Sequence, residues 1–162
     1  MVLANNNCGT FLSMHKCIAT IAIAVAAAIA PPLHADTKQI ECLQRNVYWE
    51  ARGESILGQI LVARTTLNRV HDARWPNTIC GVVYQKSQFS WTLHRSKRYS
   101  HPHETKAWEL AGIVANQTLL DAALAKHDPS HGATFFHAHS VKPPWAARFT
   151  PTISHGGHIF YR

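Results

Sequence analysis

The sequence predicts an α+β domain, mainly helical, with a small antiparallel β-sheet. Three observations predict it. Apolar residues recur at helical spacing in three segments upstream of residue 125. Beyond Asp128-Pro129 the pattern changes to short runs rich in aromatic and β-branched residues. Those runs are joined by a stretch carrying Pro143, Pro144 and Pro151, an excursion between two strands of one sheet.

The first 35 residues stand apart from the domain. His15 and Lys16 precede an apolar run from Cys17 to Ala30, followed by Pro31, Pro32 and the small-residue end Leu33-His34-Ala35. A basic flank, a short apolar core and a small residue before the cut describe a secretory signal peptide. A run of 14 residues is short for a bilayer span, so an uncleaved anchor is the weaker alternative. Cleavage after Ala35 leaves residues 36–162 as one domain, large enough to bury a core.

Within it, Ile40, Leu43 and Val47 predict a helix over Lys38 to Ala51, after which Gly53 and Gly58 punctuate the chain. Ile60, Ala63, Leu67 and Val70 predict a second helix from Gln59 to Val70. Arg74 to Thr78, with Pro76 and Asn77, is a turn. Val82-Val83-Tyr84 fits strand or helix, and Ser87 to His103, polar, aromatic and basic without a period, reads as a long loop. Trp108, Ala111, Ala115 and Leu119 predict a third helix over Glu104 to Leu124. Ala133 to His137 and His158 to Tyr161 are the two predicted strands.

Charge and cysteines narrow the class. With Lys16 removed, 15 Lys and Arg face 9 Asp and Glu, a net charge of about +6. The charges are scattered, apart from Arg95, Lys97 and Arg98, and no basic arm or helix emerges. Nucleic acid is therefore not the expected partner. Cys8 and Cys17 leave with the leader, and Cys42 and Cys80 are read as a disulfide, two buried thiols being the alternative.

The densest chemical cluster is Tyr48-Trp49-Glu50-Ala51-Arg52-Gly53-Glu54. An acid at the end of an apolar helix, flanked by two large aromatic residues, can sit in a poorly solvated cleft. Desolvation raises a carboxyl pKa, which is what a general acid at neutral pH needs. Taken alone, the stretch fits ordinary helix-end charges equally well.

That cluster is followed in order by Gly58-Gln59, Leu67-Asn68-Arg69-Val70, Trp75 to Gln85, Gln88-Phe89-Ser90-Trp91, Gly132 to His137 and Gly157 to Tyr161. Together these resemble the SleB/CwlJ family of cell wall hydrolases over essentially all of Ile40 to Tyr161. The resemblance implies a lysozyme-like catalytic domain acting on peptidoglycan, in periplasm, cell wall or outside the cell, with Glu50 as the essential acid. It also implies that Gln88, Phe89 and Ser90 line the glycan groove.

Hydrolytic glycosidases set two carboxyl groups about the scissile bond, roughly 5 to 9.5 Å apart. If the first helix continues past Ala51, Glu54 lies one turn from Glu50 on the same face, so the two cannot easily attack opposite sides of one sugar. Asp72 and Glu104 are the leftover acids. A single catalytic Glu suits a lytic transglycosylase, in which the muramoyl C6 hydroxyl replaces water; muramidase hydrolysis by Glu50 is the alternative.

Trp91 and Trp145 are candidates for sugar stacking, and Thr134, His137 and Tyr161 for reaching the groove from the sheet. Glu54 is a substrate-contact candidate, or the partner of Arg52 in a salt bridge. Trp75 and Trp108 are read as core. Neither a cofactor nor a metal is expected. His137-Ala138-His139, His155, His158 and His101-Pro102-His103 raise a zinc-dependent amidase or peptidase as a rival, but alternating histidines on a strand point to opposite faces. A non-catalytic wall-binding module is the second rival. A monomer is the default.

Overall fold

The computed structural model describes residues 36–99 and 102–162. The expected leader, residues 1–35, and His101 lie outside the described residues.

Helix α1 (Thr37–Ala51) starts where the Asp36 side chain accepts the Lys38 N–H at 3.0 Å, satisfying one of the open donors of the first turn. Helix α2 (Ile56–Val70) starts earlier than Gln59, because Ser55 caps it by accepting the Gly58 N–H at 3.2 Å. Gly58 therefore lies inside the helix and does not break it. Its lack of a side chain is required there, since a Cβ would stand 2.9 Å from the Glu54 Cβ.

Helix α2 is buried on nearly every side. Leu61, Val62, Ala63 and Leu67 are all in the core, while Ile60 and Val70 of the expected stripe are only partly covered. The cause is tertiary: α2 is the central helix, covered by helices on one side and the sheet on the other.

Val82 and Val83 belong to a short helix α3 (Ile79–Val83), capped by Thr78. The expected loop after Ser87 contains a 3-10 turn (Ser90–Leu93) and a short helix α4 (Arg95–Tyr99). Helix α5 (Thr105–Ala123) completes the helical body and packs on α1 and α2.

Three strands follow, where two were expected: β1 (Phe135–Ala138), β2 (Pro151–His155) and β3 (His158–Tyr161), antiparallel in the order β1-β3-β2. The missed strand opens on Pro151 and carries an irregularity between Pro151 and Ile153. A proline is tolerated there because β2 is an edge strand and Pro151 its first residue.

Phe136 pairs with Phe160, and Phe135 with Tyr161. Partners share a face, so Phe136 and Phe160 turn inward while Phe135, His137 and Tyr161 line the other side. Phe160 packs with Ala51, Leu61, Val62 and Ala133, and Phe136 joins this group to the larger cluster around Leu43, Val47, Tyr48, Leu67, Phe89 and Trp91. Cys42 and Cys80 form a disulfide that ties α1 to α3. The fold is the mainly helical α+β architecture that the sequence predicts.

Candidate active site

The last turn of α1 places Glu50 beside a group of aromatic residues. Trp49 stacks near Trp91 at 6.4 Å between ring centroids, and Tyr48 meets Trp49 edge-on at 4.9 Å. Beneath them a polar thread locks the geometry. The Trp91 indole N–H donates to Asn46 Oδ1 at 3.1 Å, and Asn46 Nδ2 donates to Thr66 Oγ1 at 3.0 Å.

Glu50 itself is half-buried. Loss of solvation raises its carboxyl from 4.5 to about 7, against the opposing pull of Arg69 and then Lys97. A carboxyl poised at that value exchanges a proton readily near neutral pH.

Arg69 is the residue that sequence reading passed over. It is only 5% exposed, and its Nε donates to the Thr134 carbonyl at 2.6 Å. Its guanidinium lies 5.3 Å from the Phe89 ring centroid, 5.6 Å from Trp75 and 5.9 Å from Phe135. Burial lowers its pKa to about 10, with Glu50 pulling the other way. The available signal was a cation one residue before the end of a helix whose other turns bury almost everything.

Glu54 has a different task from the expected one. Helix α1 ends at Ala51, so Glu50 and Glu54 do not share a helical face. The Glu54 carboxylate accepts the Gly157 N–H at 3.1 and 3.2 Å on its two oxygens, and His158 Nδ1 lies 3.6 Å from Oε1. It grips the β2–β3 turn. Ser55 adds a second clasp, its Oγ 2.8 Å from His155 Nε2. Arg52 pairs with Glu104 at 3.0 Å, not with Glu54.

The other expected contacts divide into three groups. Phe89 and Trp91 are each 2% exposed and belong to the core, so Trp91 offers no free face for stacking on a sugar. Gln88 is half-buried and Ser90 exposed at the surface of the same segment. On the outer side of the sheet, the Tyr161 hydroxyl and His137 Nε2 are 2.9 Å apart, and the His137 Nδ1–H donates to the Ala138 carbonyl at 2.9 Å. In the neutral ring, Nε2 therefore accepts the tyrosine proton.

Trp145 meets His137 and Tyr161 edge-on at 5.5 and 5.6 Å. Thr134 is buried, with its Oγ1 unpartnered. Phe135, 5.5 Å from Trp145, connects this aromatic face to Arg69 and so to the Glu50 end.

Two other features bear on the chemistry. Among the described residues no three His, Cys, Asp or Glu side chains converge as a metal site requires. His139 turns to Ser154 Oγ at 3.2 Å while His137 turns to Tyr161, so they do not converge. A groove of about 1430 Å³ runs between α1, α2 and α5, lined by Ile40, Gln44, Leu67, Val70, Leu119 and others, and contains none of the candidate residues. Its one carboxylate, Glu109, is exposed.

The cell wall hydrolase family matches residues 53–161, beginning just after Glu50. Spore cortex-lytic enzymes are similar over 75% of this chain: that of Bacillus cereus is 31% identical over 121 residues and that of Bacillus subtilis 32% over 122. The chain spans only 43% and 36% of the length of those two relatives. The catalytic domain of the germination-specific lytic transglycosylase SleB from Bacillus anthracis superposes with a TM-score of 0.65 at 27% identity, covering 82% of this chain and 100% of that one. The SleB catalytic domain of Bacillus cereus gives 0.61 at 29%, covering 78% and 91%. The matched motifs, the α+β architecture and these likenesses together show that the chain belongs to the cell wall hydrolase family.

Proposed function

We propose that this protein is an exported lytic transglycosylase that cleaves peptidoglycan glycan strands between N-acetylmuramic acid and N-acetylglucosamine, with Glu50 as its acid and base. One observation carries the reading: a half-buried carboxyl raised to about 7, while the three other acids weighed for the role are each engaged with a partner. Glu54 is committed to the Gly157 backbone, Asp72 is held by Arg74 at 2.6 Å, and Glu104 is paired with Arg52. Most hydrolytic glycosidases use a second carboxylate to activate water or attack the sugar. Transglycosylation does not.

Glu50 gives its proton to the glycosidic oxygen as the bond to the muramoyl C1 breaks. The resulting carboxylate then takes the proton of the C6 hydroxyl of that same sugar as its oxygen bonds to C1. The enzyme returns to its starting state and leaves a 1,6-anhydro end. The aromatic side of the sheet, with Trp145, His137 and Tyr161, supplies flat apolar surface for the pyranose rings. Gln88 and Ser90 supply polar contacts, and a positive net charge draws the domain to the anionic wall. Cleavage of the leader after Ala35 leaves Asp36, the cap of α1, in place. The working unit is a monomer.

The test is Glu50→Gln with purified peptidoglycan, the released fragments read by mass spectrometry. Wild-type protein should release anhydro-muramoyl ends, and the variant should bind the wall yet cleave at least about a hundredfold more slowly. Reducing muramoyl ends would make the enzyme a muramidase. Cleavage by the variant at the parent rate would end the assignment of Glu50.

A further inference from the structure

The clustered cations of the sequence, Arg95, Lys97 and Arg98, fall on α4. The fold brings Lys97 of that cluster to the end of α1. Its Nζ lies 5.4 Å from the centroid of the Trp49 ring, and Trp49 directly precedes Glu50. Arg52, two residues beyond Glu50, reaches the same ring: its Cζ is 5.3 Å from the Trp49 centroid and 5.1 Å from that of Tyr48. Two like charges gathered at one indole repel each other, and an anion received there relieves the repulsion.

The acids nearby do not supply that anion. Glu104 takes the Nε of Arg52 at 3.0 Å and leaves the Nη groups for another acceptor. Among the described residues no acid stands within ion-pair distance of Lys97. Glu50 feels the Lys97 charge, but it must hold its proton in order to donate it. Both cations are exposed and open to a ligand. In peptidoglycan the N-acetylated sugars are neutral. The anions nearest the cut are carboxylates carried on the lactyl group at C3 of the muramoyl ring, whose C1 bears the bond to be broken.

We propose that Lys97 and Arg52, gathered on Trp49 at the Glu50 end of α1, form an anion subsite for a carboxylate on the muramoyl lactyl side chain, its own or that of the attached peptide. The inference rests on the peptidoglycan reading above and adds what the enzyme selects: strands whose muramoyl groups carry negative charge. Arg52 offers paired N–H donors that match a carboxylate, and Lys97 adds a point charge.

The experiment measures kcat/KM for the parent, Lys97→Gln, Lys97→Arg, Arg52→Gln and Lys38→Gln. Lys38, exposed at the far end of α1, controls for lost net charge. Each protein is given intact peptidoglycan, the same material with its carboxylates converted to amides, and strands stripped of peptide by an amidase, which keep the lactyl carboxylate. The parent should favour intact over amidated strands about tenfold, through KM and not kcat. Lys97→Gln and Arg52→Gln should each cut that preference to about threefold or less, while Lys97→Arg and Lys38→Gln keep it. Any effect on the Glu50 carboxyl acts on both substrates and cancels in the ratio.

Stripped strands cleaved like intact ones assign the lactyl carboxylate, and stripped strands cleaved like amidated ones assign the peptide. Equal treatment of intact and amidated strands by the parent overturns the proposal. So does a preference that survives in Lys97→Gln or Arg52→Gln, or one that Lys38→Gln loses equally. Co-sedimentation with each form of the wall, on a Glu50→Gln background, gives the same ratio without turnover. If the parent releases no fragments, the proposed reaction falls, and the binding ratio alone decides the anion subsite.

Discussion

A carboxyl whose pKa rises on folding ties stability and chemistry to one proton. Glu50 goes from 4.5 to about 7, so the folded protein holds the proton more tightly than the unfolded chain does. The stability this lends is complete below 4.5 and is lost as pH rises through 7. Glu50→Gln, neutral at every pH, should match the parent in urea melts near pH 4. It should exceed the parent by up to about 3 kcal/mol near pH 8.5. The parent's activity should decline over the same range above pH 7, because the proton to be donated is gone. A variant less stable than the parent at pH 8.5 would contradict the burial of this group. Tyr48 and Trp49 hinted at a dry surrounding for Glu50, but the family resemblance singled the residue out. Arg69 was not legible: a cation near a helix end normally lies on a solvated face, and here Trp75, Phe89 and the head of β1, all outside α2, cover it.

At the scale of elements, the turn between α1 and α2 is the seam of the molecule. Within a few residues of Glu50 the chain presents Glu54 and Ser55, and both fasten to the β2–β3 hairpin. The hairpin tip is built to receive them. Gly156 has φ of 55°, and a Cβ there would collide with the Glu54 carboxylate. Gly156→Ala should therefore cost about 1–3 kcal/mol, more than the left-handed backbone alone explains. Glu54→Ala should relieve part of that cost, so the double variant should lie closer to Glu54→Ala than additivity allows. Strict additivity in denaturant melts would show that the collision is not felt. The hairpin was half legible. His158 to Tyr161 declares itself with β-branched and aromatic residues, but Pro151-Thr152-Ile153-Ser154 opens on a strand breaker and reads as coil. Helix α2 was legible as a helix, yet its facing was not, because an all-round buried helix has no single stripe to find.

For the molecule as a whole, one covalent tie bridges 38 residues of sequence, from α1 to α3. In the chain-entropy account a loop of that size contributes about 4 kcal/mol. Reduction should lower the melting temperature markedly while leaving the pH profile of the folded enzyme unchanged, since the Glu50 pKa is set by burial, Arg69 and Lys97. A shift in the profile on reduction would mean that α1 itself moves. The fold class was legible from the helical spacing and the β-prone runs, and the disulfide from the two cysteines left once a leader is set aside. The joining of helical body to sheet was not, because it runs through Arg69 to Thr134 and Glu54 to Gly157, pairs far apart in sequence.

The order β1-β3-β2 also puts the last strand in the middle. Translation must pass residue 161 before either earlier strand can find its neighbour. A nascent chain therefore forms its helices first, and a product cut off at residue 157 holds β1 and β2 with no β3 to join them. The seating of Phe136 and Phe160 against the helices therefore waits on the arrival of β3.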